Sequence, residues 1–149
     1  MVSGNPPAMP SRAEVLRYAQ RELAGLRQLP RGWDGGKGVA LRAGFATLAL
    51  LLVDQVTVDN GLATPQFSPL PNGGLYITWL VGGDRLAIEL EPDGMTVRGV
   101  LSGGAEVFNR EFEPNPRTFL RSELECAINE ARDFLLKIST RVQHQLIKS

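Results

Sequence analysis

Leu75-Tyr76-Ile77-Thr78-Trp79-Leu80-Val81-Gly82-Gly83-Asp84-Arg85-Leu86-Ala87-Ile88-Glu89-Leu90-Glu91-Pro92-Asp93-Gly94-Met95-Thr96-Val97-Arg98-Gly99-Val100-Leu101 is the stretch that decides the fold. Leu75, Ile77, Trp79 and Val81 alternate with other residues, so they share one face of a strand, and Leu86, Ile88 and Leu90 do the same in the next strand. The runs are broken by Gly82-Gly83-Asp84 and Pro92-Asp93-Gly94, and Asn72-Gly73-Gly74 precedes them. These residues supply the positive φ angles that tight hairpins need. The stretch therefore predicts an antiparallel β-meander with one buried face, its strands at Leu75–Val81, Arg85–Glu91 and Met95–Leu101.

Before the meander, Thr64–Leu70 reads as a short edge strand, because Pro65 and Pro69 cannot donate to a ladder. Further upstream, Leu41 to about Val58 is apolar on several faces of a helix and is expected to lie centrally in the core, closed by Asn60-Gly61. Ser11 and Glu14 form a capping box for a helix from Arg12 to Gln28, with Val15, Leu16, Ala19, Leu23 and Leu26 at helical spacing.

After the meander, a weaker strand is expected from Ala105 to Phe112, and Pro114-Asn115-Pro116 then opens a last helix. Its stripe is Leu120, Leu124, Ala127, Ala131, Leu135, Ile138 and Val142. The class is α+β: two N-terminal helices, a four- to five-stranded antiparallel meander sheet, and a long C-terminal helix packed on one sheet face. The other face, bearing Arg85, Glu89 and Glu91, is left toward water, and Tyr76, Thr78 and Leu80 add apolar area if they share it. Residues 1–10 read as a disordered leader and 11–149 as one domain.

The chain has 149 residues, long enough to withdraw roughly 70% of its unfolded surface from water. The lone cysteine, Cys126, cannot form an internal disulfide, which points to a reducing cytoplasm, and its place in the last helix suggests a small core hydrophobe. No signal peptide pattern opens the chain, and the longest apolar run, Phe45–Val53, is too short for a bilayer span, so no membrane partner is expected. Sixteen basic and sixteen acidic residues balance, which weighs against a nucleic-acid binder. The charge is uneven: residues 51–115 hold three basic and nine acidic side chains. That acidity is either complementary to the flanking basic helices or offered to a basic partner.

No catalytic set emerges. His144 stands near the C-terminus among polar residues, and one Cys and one His do not make a zinc ligand set, so neither metal nor cofactor is expected. Glu89 and Glu91 share a strand face at a spacing that suits solvation. Trp33, in Arg31-Gly32-Trp33-Asp34-Gly35-Gly36, either folds back as a plug or projects as a binding anchor. Asp34 suits an Asx-turn or a cap, and a phosphate cradle is disfavoured because no Gly-Lys-Ser/Thr follows the glycines.

Taken together, Leu29-Pro30-Arg31-Gly32-Trp33-Asp34-Gly35, Pro71-Asn72-Gly73-Gly74-Leu75 leading to Trp79, and Leu86-Ala87-Ile88-Glu89-Leu90 before Pro92-Asp93-Gly94 resemble a loose group of uncharacterised small bacterial proteins. The resemblance covers about positions 29–97 and lies in a Gly-Trp-Asp-Gly loop, a helix and a Gly-Gly hairpin ending in Trp. Such proteins tend to sit in mobile or defence-related gene neighbourhoods beside a larger effector. The resemblance implies that context and carries no chemistry.

The expectation is a non-catalytic cytoplasmic interaction protein, an accessory subunit or antitoxin-like neutraliser whose partner is encoded nearby. Its docking residues would be Trp33, Asp34, Tyr76, Arg85, Glu89 and Glu91. A homodimer is left open. The competing expectation is a small-ligand binder or enzyme with a pocket between the sheet and the second helix, lined by Phe67, Trp79 and the Gly32–Gly38 loop. A third, single-stranded nucleic acid across Tyr76 and the arginines, is opposed by the neutral charge.

Overall fold

A computed structural model describes residues 11–57, 63–113 and 121–148. The leader at 1–10, the Asn60-Gly61 helix stop and the Pro114–Pro116 helix start lie outside the described residues, as does Leu120.

Helix α1, Arg12–Arg27, opens with the capping box: the Glu14 amide donates to Ser11 Oγ at 3.2 Å and the Ser11 amide to Glu14 Oε1 at 3.3 Å. Reciprocal bonds of this kind satisfy two amides that a helix start leaves without partners. Val15, Ala19 and Leu23 form its buried stripe.

Helix α2 runs Ala43–Val56, two residues later than the expected start at Leu41. The reason is tertiary. The Leu41 amide donates to Leu26 O at 3.1 Å and the Arg42 amide to Gly73 O at 3.0 Å, so both residues are extended against neighbours and the helix begins beyond them. Leu41 is buried all the same. Helix α2 belongs to the core as expected, through Ala49, Leu52, Val53 and Val56, while Leu51 on another of its apolar faces is 49% exposed.

The sheet has five antiparallel strands in sequence order: β1 Gln66–Pro69, β2 Leu75–Val81, β3 Asp84–Glu91, β4 Gly94–Val100 and β5 Glu106–Phe112. Strand β1 is shorter than the expected Thr64–Leu70, because the Leu70 amide turns to Gly74 O and closes the hairpin. Strand β5 is a full member, with a bulge where Gly99 and Val100 face it.

One row of the sheet reads Trp79, Leu86, Gly99, Phe108 across β2 to β5. The missing side chain at Gly99 makes room for the Phe108 ring, whose Cε1 would be 2.5 Å from a Cβ placed there. Phe108 in turn meets Phe134 edge-on, with ring centroids 5.5 Å apart. Phe134 belongs to α3, Arg121–Lys148, which crosses β2, β3 and β4 and buries Ala127, Ala131, Phe134, Leu135 and Ile138. All three helices thus contribute to one core with Leu75, Ile77, Trp79, Leu86, Ile88 and Leu90. The layout is two layers, helices over a sheet.

Candidate functional site

Two regions carried the expected docking residues: the glycine-rich loop after α1, and the sheet face that the helices do not cover.

In the loop, Asp34 Oδ1 accepts the amides of Gly36 at 3.0 Å and Gly38 at 2.8 Å, the Asx geometry expected of it. These backbone bonds hold the Asp34 carboxyl below the usual carboxylate range. They also decide against a phosphate cradle, because the carboxylate already occupies the amides that a phosphate would need. Trp33 is half-buried and donates its Nε1–H to Val39 O at 2.8 Å. Gly38 is buried beneath both, and a Cβ there would lie 2.6 Å from Asp34 Oδ1 and 3.0 Å from Trp33 Nε1. The loop is thus folded around itself. It is also tied to the β1–β2 turn, since the Val39 amide donates to Pro71 O and the Arg42 amide to Gly73 O, each at 3.0 Å.

Across the uncovered sheet face the register gives three rows. Leu80, Arg85, Val100 and Glu106 form one; Gln66, Thr78, Ala87, Arg98 and Asn109 the next; Ser68, Tyr76, Glu89, Thr96 and Glu111 the third. None of these residues belongs to the core cluster, and Leu80 is 52% exposed. Ala87 and Thr78 are buried nonetheless, which means that the longer side chains around them lie down over the strand surface. Arg85 shows this directly, because its Nε is solvent-excluded and has no acceptor. Among the described residues neither Arg85 nor Arg98 has an ion-pair partner, in contrast to Arg12 with Asp54, Arg110 with Glu130 and Arg141 with Asp84.

The structure brings some expected residues together and separates others. Tyr76 and Glu89 are a directly opposed cross-strand pair. Glu91 lies next along β3 and meets Asn72 of the β1–β2 turn, the turn to which the Trp33–Asp34 loop is tied. Arg85 stands at the other end of β3, six residues and about 20 Å from Glu91. Leu80 lies on this face, as the alternation of β2 allowed, and sequence reasoning missed Arg98, which the alternation of β4 could have found.

Cys126 is corrected: it is exposed, not a core residue. It lines a groove of about 490 Å3 between β5 and α3, with Arg110, Glu111, Phe112, Glu123, Ala127 and Glu130. A second groove, about 310 Å3, lies between α1 and α2 at Leu16, Gln20, Thr47, Leu50, Leu51 and Asp54. In the place expected for a ligand pocket, Trp79 is wholly enclosed and Phe67 tilts against Tyr18 with centroids 6.2 Å apart. The side chain of His144 lies outside the described residues. Among the described residues no group of three or more His, Cys, Asp or Glu is arranged to hold a metal ion, and no helix is long and apolar enough to cross a membrane.

The fold and these surfaces define a two-layer α+β protein with one uncovered sheet face. Comparison with family models, curated proteins and solved structures gives no match.

Proposed function

We propose that this chain is a non-catalytic protein-docking module, an accessory subunit or antitoxin-like neutraliser of a larger effector, and that it docks through the uncovered face of its sheet. The observation that carries this reading is the face itself. It presents Leu80 and Tyr76 as apolar contacts beside Arg85 and Arg98, which lack ion-pair partners among the described residues. Tyrosine and arginine are among the residues that dominate binding energy at protein interfaces.

The Trp33–Asp34 loop enters this reading as a neighbour that stiffens the β1–β2 turn. Its indole and carboxylate are engaged within the loop, so they frame the docking surface at the Glu91 end.

The test is retention of products of neighbouring genes by the tagged chain expressed in its native host. Loss of one defined partner in both Leu80→Lys and Tyr76→Ala, with thermal stability unchanged, supports the reading. A chain that retains no partner, or a partner retained equally by both variants, overturns it.

A further inference from the structure

The uncovered sheet face is not of one charge. Arg85 and Arg98 lie toward one end of the central strands, Arg85 near the start of β3 and Arg98 beside Ala87 on β4. Glu89 and Glu91 lie toward the other end of β3, on the same face because strand residues two apart point the same way. All four residues are partly exposed, and none has an ion-pair partner among the described residues. Tyr76, Leu80, Ala87 and Val100 supply apolar surface between and beside them.

A face that is basic at one end and acidic at the other selects its complement. A uniformly acidic partner would be repelled by Glu89 and Glu91, and a uniformly basic one by Arg85 and Arg98. The same face turned end for end matches at both ends. We infer that the occupant is a second copy of this chain, the two sheets stacked face to face about a two-fold axis that lies in the interface and crosses the strands between Ala87 and Glu89. Rotation about that axis carries Arg85 over Glu91 of the second copy and Ala87 over its Glu89, and it brings Arg98, the β4 neighbour of Ala87, beside that same Glu89. A two-fold contact is made twice, so each of these arginines in either copy meets a carboxylate of the other.

Arg85 and Glu91 stand at the two ends of β3, so their pairs fall at the rim, while Tyr76 and Ala87 lie nearer the axis and lose water. Arg85 already has its Nε withdrawn from water without an acceptor, so part of the desolvation that an ion pair requires precedes association. The five strands, spaced about 4.8 Å apart, give a face on the order of 500 Å2 in plan, which places the pair among small interfaces that form and dissociate. The dimer is therefore dependent on concentration. The inference rests on the docking reading only in taking this face as the contact surface, and a second copy and an effector exclude one another there.

Sedimentation velocity on the full chain, from micromolar to near-millimolar concentration, is the test. The weight-average mass should rise from that of one chain toward that of two, and added salt should weaken the association. Arg85→Glu/Arg98→Glu makes the central strands of the face acidic throughout and Glu89→Arg/Glu91→Arg makes them basic throughout, so each variant should self-associate at least about tenfold more weakly. An equimolar mixture of the two should pair as the wild type does, since every arginine then faces a carboxylate again. The inference is overturned by a wild-type chain that stays monomeric, by association indifferent to salt, by a folded variant that pairs alone as well as the wild type, or by a mixture that does not pair. If a variant fails to fold, the wild-type mass and its salt response decide. A monomer that still retains a neighbouring gene's product overturns this inference alone, and a dimer that retains none overturns the docking reading alone.

Discussion

Arg132 of α3 donates its Nε–H to the carbonyl oxygen of Gln55 in α2 at 2.7 Å, across 77 residues of chain. The last carbonyls of a helix have no partners within it, and they carry the negative end of its dipole, so a guanidinium there satisfies and stabilises at once. Arg12 of α1 serves the same end of α2, bonding the Asp54 carbonyl and, at 3.0 Å, its carboxylate. All three helices are thereby joined at one point. Arg132→Ala should lower unfolding free energy in urea by about 1–3 kcal/mol, the cost of leaving a shielded carbonyl without its charged donor. Arg12→Ala should cost less, because both partners there are solvated.

Asp34 gives a pH dependence of known sign. Its carboxyl titrates below the usual carboxylate range in the folded chain, because the amides of Gly36 and Gly38 favour the ionised form. A depressed folded pKa contributes stability above the unfolded pKa and loses it as pH falls through the folded one. The stability gap between the wild-type chain and Asp34→Asn should therefore be full at neutral pH and close as pH drops below the usual carboxylate range. Paired thermal melts across that range check it, and a gap that widens on acidification would contradict the assignment.

Three glycines separate close approach from mere flexibility. Gly38→Ala should destabilise, since the new Cβ would press on Asp34 and Trp33, and Gly74→Ala should destabilise more, since its Cβ would run into the backbone oxygen of Leu90. Gly25, inside α1 with nothing within 4 Å of an added Cβ, should do the opposite: Gly25→Ala should raise stability by about 0.5–1 kcal/mol. Chemical denaturation of the three variants checks the order.

Asp84 has two tasks at the β2–β3 turn, accepting the Ser102 amide at 2.9 Å and pairing with Arg141 of α3. It is 4% exposed, whereas the Arg141 side chain is half exposed. Asp84→Ala should therefore cost about 2–4 kcal/mol, and Arg141→Ala less, because the retained carboxylate keeps its amide donor and the arginine returns to water. Denaturant midpoints for the two variants give the ranking.

The α1 capping box and the β2, β3 and β4 strands were legible because each is written within a few residues: two side chains three apart, or an alternation of period two between glycine turns. The buried side of α2 was not legible, since a helix apolar nearly all round carries no phase and only its neighbours decide that Leu52 is covered and Leu51 is not. For the candidate surfaces, the Tyr76–Glu89 pairing was readable from the meander register, and the exposure of Cys126 was not.

What the chain alone determined is therefore the local grammar: three helices, an antiparallel meander, a face of Leu75, Ile77 and Trp79 that had to be buried, and an Asp34 turn closed by its own glycines. What tertiary structure decided is where distant segments meet. Arg132 reaches Gln55, Arg141 reaches Asp84 across 57 residues, and the Val39 and Arg42 amides reach the β1–β2 turn. Such pairs leave no periodic trace, because each needs only one donor and one acceptor brought together by the packing of everything between them.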